Sequence, residues 1–431
     1  PPGAPAAALA AWSGADGPLP ATGIGAERAL GELAELLAAG HSDPADPRCA
    51  AHLHCPPLAV AVAADLAVSV LNPSLDSWDQ GPSSLAVEDE LIAALATLVG
   101  FDRDRAGGTM TTGGTASTLT ALLLAREHAA PRPLRIACSE LAHFSVQRAA
   151  QVLGIGEDAV ATVAVGADGR LPVDGLERLL AAEPEAAWAV VATAGTTDLG
   201  AIDPLAAIAR VAAAHGAWLH VDAAYGGGAL FSPRLAPLLD GIAAADSLSL
   251  DAHKLGWQPV AAGVLLVRDR AAMAPLDRQV AYLNALDDTA AGYEDRLGRS
   301  LRTTRRPDAF KLLVTLRALG RDGLGRLVER CHELAAVAAE VASEAGLEVR
   351  APPTLSTVLL RPAIADPVAR DERCATVRRR LLREGRAVIG RTEIPGAGPG
   401  RRWLKLTLLN PHATEADVRA LVALVADAAR D

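Results

Sequence analysis

A chain of 431 residues is long enough for one large domain plus a smaller one, with a core to match. Half of it is apolar but only 3% is aromatic, so the core must be packed mainly from Ala, Val and Leu. A net charge of -10 argues against nucleic acid and anionic membranes as partners and is compatible with a cationic small molecule.

The five cysteines, Cys49, Cys55, Cys138, Cys331 and Cys374, show no metal-site spacing and no even-numbered disulfide framework, which fits a reducing cytoplasm. No apolar run reaches membrane-spanning length without Gly, Pro or charge. The opening Pro1-Pro2-Gly3-Ala4-Pro5 lacks the basic region of a signal peptide and reads as a flexible leader.

In chain order, residues 26–39 form a helical pattern with Leu30, Leu33, Leu36 and Leu37 on one face. A Pro-, His- and Asp-rich loop follows at 40–57. Its His52, His54 and Cys55 have no second ligand pair nearby, so it reads as a loop facing a pocket rather than a metal site. Helix 58–70 leads into the polar loop 71–82, where Trp78 is either a packing anchor or a site wall. Helix 87–100 carries Glu88, Asp89 and Glu90 at its start, as the helix dipole favours.

Strands and helices then alternate from 109 to 267. Strands are expected at 135–138, 161–165, 188–193, 219–221, 247–250 and 263–267, and helices at 119–126, 146–153, 173–182 and 205–215. The alternation implies a largely parallel sheet wrapped by helices, with ligands at the carboxyl ends of strands. His143, Thr197, Asp222 and Lys254 each fall just after an expected strand. A mobile loop at 284–301, carrying Asp287, Asp288 and Tyr293, precedes helices 308–319 and 324–345. Strand 358–360, a helix with Arg378-Arg379-Arg380, strand 403–408 and a closing helix complete a small α+β domain.

Three stretches carry chemistry. Gly113-Gly114-Thr115 opens a helix and offers amides, a hydroxyl and the positive helix end to an anion; without a lysine after the glycines it is not a nucleotide P-loop. Asp222 ends an apolar strand among small residues, where a carboxylate can bind metal, act as a base or pair with a protonated ring nitrogen, the role that makes a ring an electron sink. Ala224 leaves room for a flat ring, and His143 either stacks on the opposite face or caps a helix. Lys254 lies between two strands, and a lysine amine in desolvated surroundings is a nucleophile able to form an imine. His253 either reaches a phosphate or a carboxylate, or is a hydrogen-bonded structural residue. Together these are the handles for pyridoxal phosphate.

Five motifs occur in order: Thr112-Gly113-Gly114-Thr115, Ala142-His143-Phe144-Ser145-Val146, Thr193-Ala194-Gly195-Thr196-Thr197, His220-Val221-Asp222-Ala223-Ala224-Tyr225-Gly226-Gly227 and Asp251-Ala252-His253-Lys254. From about Ala51 onward the chain resembles the group II pyridoxal-phosphate-dependent amino acid decarboxylases, and most of all the L-2,4-diaminobutyrate and siderophore-type enzymes. The resemblance implies the type I, aspartate-aminotransferase-like fold and a homodimer with sites at its interface. It implies a domain plan of a leader and helical segment over 1–70, a cofactor-binding domain over 71–323 and a small domain over 324–431.

The resemblance also assigns roles. Lys254 would carry the cofactor covalently, Asp222 would face the pyridine nitrogen, and His143 would stack on the ring and handle the substrate carboxylate. Thr197 would lie near the phenolic oxygen and Ala224 under the ring, with Gly114, Thr115 and His253 at the phosphate. Asp251 departs from the asparagine common at that position, so it must point away from the phosphate or be neutralised. Tyr293 corresponds to a tyrosine that protonates the substrate carbon once CO2 has left, unless it is a surface loop residue. Trp78 and Lys405 fall on the substrate side. A lysine at 405 lacks the bidentate fork that suits a glutamate side chain. Asp76 and Asp79 either receive a distal ammonium or cap helices.

The expected activity is therefore α-decarboxylation of a small or basic L-amino acid such as L-2,4-diaminobutyrate. The alternatives on the same fold are an aromatic amino acid decarboxylase, an aldehyde synthase, another lyase such as a sulfinate decarboxylase, or a transaminase. A non-catalytic scaffold would have lost the lysine or the aspartate, and both are present. No metal, nucleic acid or membrane partner is expected.

Overall fold

A computed structural model of the protein describes residues 19–396 and 398–430, so the expected leader at 1–5 lies outside the described residues. Its strands are β1 (Cys49–Ala50), β2 (Gly107–Thr111), β3 (Leu134–Ser139), β4 (Val160–Val163), β5 (Ala187–Thr193), β6 (Trp218–Ala223), β7 (Ser247–Asp251), β8 (Gly263–Val267), β9 (Leu347–Val349), β10 (Thr357–Pro362), β11 (Val388–Glu393) and β12 (Arg402–Thr407). The chain divides into two compact units.

The larger unit spans Leu53–Glu333 together with Thr354–Ser356. Its seven-stranded sheet has the order β2-β8-β7-β6-β5-β3-β4. Strands β7, β6, β5, β3 and β4 run parallel, while β8 is antiparallel to both β7 and β2. This largely parallel sheet is the one the alternating pattern predicts. Its central strands are buried on both faces, β5 and β6 along their whole length, so they read as continuous apolar runs. Helix Gly114–Ala129 seats Leu122, Leu124 and Ala125 in a cluster with Ile136, Val191 and Val267.

Register brings the strand ends into line. Thr193 pairs with Asp222, Asp222 with Ser249, Asp251 with Gly263, and Gly263 with Thr111. A one-residue slip would turn each of these side chains to the other face of the sheet.

The other unit joins residues up to His52 with Leu334–Pro353 and Thr357–Asp431. Its sheet has the order β1-β11-β12-β10-β9, antiparallel apart from the β1–β11 pair. Leu334, Val377, Leu381, Leu404, Leu421 and Val425 form its core. Helix Pro367–Arg383 starts with Pro367 in the first turn, and the Asp366 carboxylate accepts the Val368 amide at 2.9 Å. Before helix Glu415–Arg430, the Thr414 hydroxyl accepts the Asp417 amide and the Asp417 carboxylate accepts the Thr414 amide, a reciprocal cap.

Where the structure differs from the expected elements, the local chemistry explains it. Strand β2, Gly-Gly-Thr-Met-Thr, has no alternating apolar pattern and is a strand because β8 pairs with it. The expected loop at 284–301 contains the helical turn Leu286–Ala290. The helical run Ala309–Glu344 breaks at Gly320, whose φ of 68° lies outside the helical region, close to the expected gap between two helices. No described helix is long and apolar enough to cross a membrane.

Candidate active site

The aligned strand ends of the larger unit, together with the start of helix Gly114–Ala129, enclose a cavity of about 270 Å³. Lined by Gly114, Thr115, His143, Thr197, Asp222, Ala224, His253 and Lys254, it gathers every residue assigned to cofactor binding from the sequence. Thr112, Thr193, Gly195, Tyr225 and Asp251 line it as well.

Its floor is bare backbone. Gly113 has a φ of 147°, and its amide donates to Thr111 Oγ1 at 3.2 Å. A Cβ on Gly114 would stand 2.8 Å from the Ala224 methyl, a distance real side chains do not adopt, so only glycine lets the helix start approach the Asp222 strand. Thr111 Oγ1 and Ser117 Oγ bond at 2.8 Å, and Ser117 donates to the Val264 carbonyl, which fixes the helix start to the sheet. Free amides at that start favour an anion.

Asp222, 7% exposed, is anchored from behind. Its Oδ1 accepts the Ala224 amide at 3.1 Å and the Ser249 hydroxyl at 2.9 Å, which leaves Oδ2 unused by these donors. Ser249 is a member of the site that motif reading missed; the signal was the serine alternation in β7, which sets Ser249 beside Asp222 in the next strand.

Lys254 Nζ lies 3.1 Å from Asp251 Oδ2, and His253 Nε2 lies 3.5 Å from the same oxygen. Asp251 thus faces the cavity and is neutralised by Lys254, the second of the two possibilities its acidity left open. The His253 ring is oriented by the Ala262 amide, which donates to Nδ1 at 3.2 Å, while the Ser145 amide donates to His143 Nδ1 at the same distance. Burial holds both imidazoles below the ordinary histidine range, so each is a neutral ring with its proton on Nε2.

Three residues assigned from the sequence are not in this lining. Tyr293 is half exposed and stacks on Trp78, with ring centroids 4.2 Å apart and planes 20° from parallel; neither lines the cavity. Lys405 is a buried residue of β12 in the other unit. Asp76 accepts from Gln80 Nε2 at 3.2 Å, and Asp79 accepts from the Ser77 hydroxyl at 2.5 Å, so both carboxylates already have local donors. Among the described residues, no three His, Cys, Asp or Glu side chains gather as a metal set.

Residues 19–361 match the family model described as the pyridoxal-dependent decarboxylase conserved domain. The chain is 43% identical to the L-2,4-diaminobutyrate decarboxylase of Rhizobium meliloti (strain 1021), over 96% of this chain and 84% of that protein. It is 34% identical to the L-2,4-diaminobutyrate decarboxylase of Acinetobacter baumannii, over 94% and 84% of the two chains. Among solved structures it is similar to the glutamate decarboxylase domain of diaminobutyrate-pyruvate transaminase and L-2,4-diaminobutyrate decarboxylase from Vibrio parahaemolyticus. The TM-score is 0.83 at 34% identity, covering 99% of this chain and 90% of that one.

Proposed function

The chain belongs to the pyridoxal-dependent decarboxylases, and from that premise we propose that its substrate is L-2,4-diaminobutyrate or a similarly small, basic L-amino acid. The reaction class is pyridoxal-phosphate-dependent decarboxylation of an amino acid to its amine and CO2. The observation that carries the site assignment is one cavity holding a lysine amine, a back-anchored carboxylate and a glycine floor at a helix start.

These residues fit the cofactor. The floor accepts nothing bulkier than glycine, and the helix start is rich in amides. When bound, pyridoxal phosphate supplies a protonated, conjugated ring that takes up the electron pair left as CO2 departs. In this reading Lys254 holds the cofactor through its amine. Asp222, with Oδ1 committed to Ser249 and the Ala224 amide, keeps a proton on the ring nitrogen through Oδ2. Gly114, Thr115 and His253 take the phosphate, Thr197 the phenolic oxygen, and Ala224 keeps one face thin enough for the ring. His143, neutral and with Nε2–H to donate, covers the other face and orients the substrate carboxylate.

Tyr293 is the proposed proton donor to the substrate carbon, a role that requires it to leave Trp78. Trp78 and Lys405 are proposed on the substrate side, where a single ammonium at 405 disfavours a glutamate side chain. The relatives' names and the net charge of -10 support a cationic substrate.

A homodimer in the cytoplasm completes the reading. Helix Ala26–Gly40 buries no residue and leaves Leu30, Leu33 and Leu37 exposed, while Leu66, Val70 and Leu71 are exposed on helix Ala59–Leu71. Apolar stripes of this kind need a covering surface.

The test is CO2 and amine release across a panel of L-amino acids. L-2,4-diaminobutyrate should give the highest kcat/KM, without ammonia or peroxide, and Lys254→Ala should lose both amine release and borohydride-trapped cofactor. An aromatic substrate turned over faster, or cofactor still trapped in the variant, would refute the respective part. Sedimentation of the same sample should show two chains, and a monomer would remove the dimer.

A further inference from the structure

Among the described residues, three buried aspartates lie at or near the strand ends of the larger unit, and two of them hold backbone. Asp203 accepts the amides of Leu171 and Thr193, each at 2.8 Å, and Asp222 accepts the Ala224 amide and the Ser249 hydroxyl. Asp251 is different. Its side chain is 4% exposed, Oδ1 has no hydrogen-bond partner, and Oδ2 pairs with the Lys254 ammonium at 3.1 Å and lies 3.5 Å from His253 Nε2.

It also faces an anion site. A Cβ on Gly114 would lie 3.4 Å from Asp251 Oδ2, and one on Gly113 would lie 3.7 Å from Oδ1. A fixed negative charge beside that floor opposes a phosphate, so a carboxylate here weakens the cradle it stands in. Its position is explained by something an acid does and a neutral amide cannot, which is to take a proton.

On the reading that Lys254 carries the cofactor, we propose that Asp251 is the proton acceptor that frees the Lys254 amine for covalent attachment. An ammonium at Nζ has no lone pair. Transfer of one proton from Nζ to Asp251 Oδ2 leaves an amine and a neutral acid. The amine nitrogen bonds to the aldehyde carbon of pyridoxal phosphate while a second nitrogen proton passes to the aldehyde oxygen. That oxygen then leaves as water, taking the proton held by Asp251. A C=N bond with one proton on nitrogen is formed, and the carboxylate is restored.

The neighbouring groups do not supply this step. His253 Nδ1 is occupied by the Ala262 amide and His143 Nδ1 by the Ser145 amide, so each ring turns an N–H rather than a lone pair to the cavity. Asp222 Oδ2 is assigned to the ring nitrogen, and the carboxylate paired with Nζ is Asp251, at 3.1 Å.

The experiment mixes cofactor-free protein with pyridoxal phosphate and quenches with borohydride over time, for the unmodified chain and Asp251→Asn. Attachment should be at least tenfold slower in the variant, in line with general-base effects of about 10²- to 10⁴-fold. Binding of 4-deoxypyridoxine 5′-phosphate, which has the ring and phosphate but no aldehyde, should be as tight or tighter. It also reports that the variant is folded, and Asp251→Ala replaces the amide if it is not. A slowing of less than tenfold overturns the proposal, and so does loss of analogue binding in both variants. Absence of trapped cofactor at residue 254 of the unmodified chain would instead remove the assignment of Lys254.

Discussion

The cavity wall, which the sequence marks as strand ends and a helix start, and the stretch at 284–301, which it marks as a loop, are held by the structure in different ways. In the wall, Asp222 and Asp251 lie at paired strand ends, each less than a tenth exposed, and a Cβ on Gly114 would press to 2.8 Å on the Ala224 methyl. In the stretch, Leu286 is 72% exposed, and Tyr293 is held by its ring stack on Trp78, by its amide donating to the Asp288 carbonyl at 3.0 Å and by a long bond from Asn284 Nδ2 to its carbonyl. The wall is preorganised, so its charges act without rearrangement. The stretch carries the proposed proton donor, and its exposed side chains leave that group room to move.

If that division is right, the largest effect belongs to a wall charge whose replacement leaves the fold intact. Asp222→Ala removes the oxygen proposed to hold the ring nitrogen's proton while sparing the β5–β6 and β6–β7 ladders, which are made by backbone. The kcat should fall about a thousandfold, with the thermal midpoint of the cofactor-free protein little changed. Steady-state rates and a thermal melt check this, and a loss below tenfold would mean that the wall is not where the electron sink is set.

The next effect tests the mobile side. Tyr293→Phe keeps the stack on Trp78 but removes the phenol proton, so amine formation should fall about a hundredfold. Product should divert towards oxidative deamination, seen as ammonia and peroxide from O2. Trp78→Ala releases the ring without touching the phenol and should leave the product ratio alone. If the two variants behaved alike, the stack itself and not the proton would be what matters.

The same division decides what could be read from the chain. Asp222, Lys254, His143 and Thr197 were placed together because each follows an apolar run that marks a strand, and parallel strands present their ends on one edge. Gly114 and Thr115 came with the helix start. The position of Tyr293 was not legible, since a ring on a weakly packed loop is placed by whatever it rests on. Lys405 sits in β12, whose sheet includes the two-residue β1, too short to carry any periodicity. The partner of Asp251 was hidden for another reason: residues 251 and 254 become neighbours only through a turn closed by the Lys254 amide on the Asp251 carbonyl at 3.1 Å.

The smallest effect lies beneath the wall, and it asks whether acid sensitivity also belongs to the rigid region. His220 alternates with Trp218 and Asp222 on one face of β6 and is fully buried. The Trp218 indole donates to Ser247 Oγ at 3.0 Å, and the Ser247 hydroxyl meets His220 Nδ1 at 2.9 Å. Ser247 Oγ thus links the indole to Nδ1, while the buried Nε2 has no protein partner among the described residues. Burial pushes the imidazole down to about 4. In the unfolded chain it would titrate near 6.5, so between these values the unfolded state binds the extra proton. Stability from this group is therefore present above about 6.5 and is lost as the pH falls towards 4, by a factor of about ten in the unfolding equilibrium per pH unit. Asp203 works in the opposite sense, because burial pushes its carboxyl up to about 6 and protonation then favours the folded state. The measurable quantity is thus a difference. Denaturant unfolding of the unmodified chain and of His220→Asn, compared at pH 7 and pH 5, should show the extra acid loss only where the histidine is present. Parallel curves would mean that the buried ring does not titrate in this window.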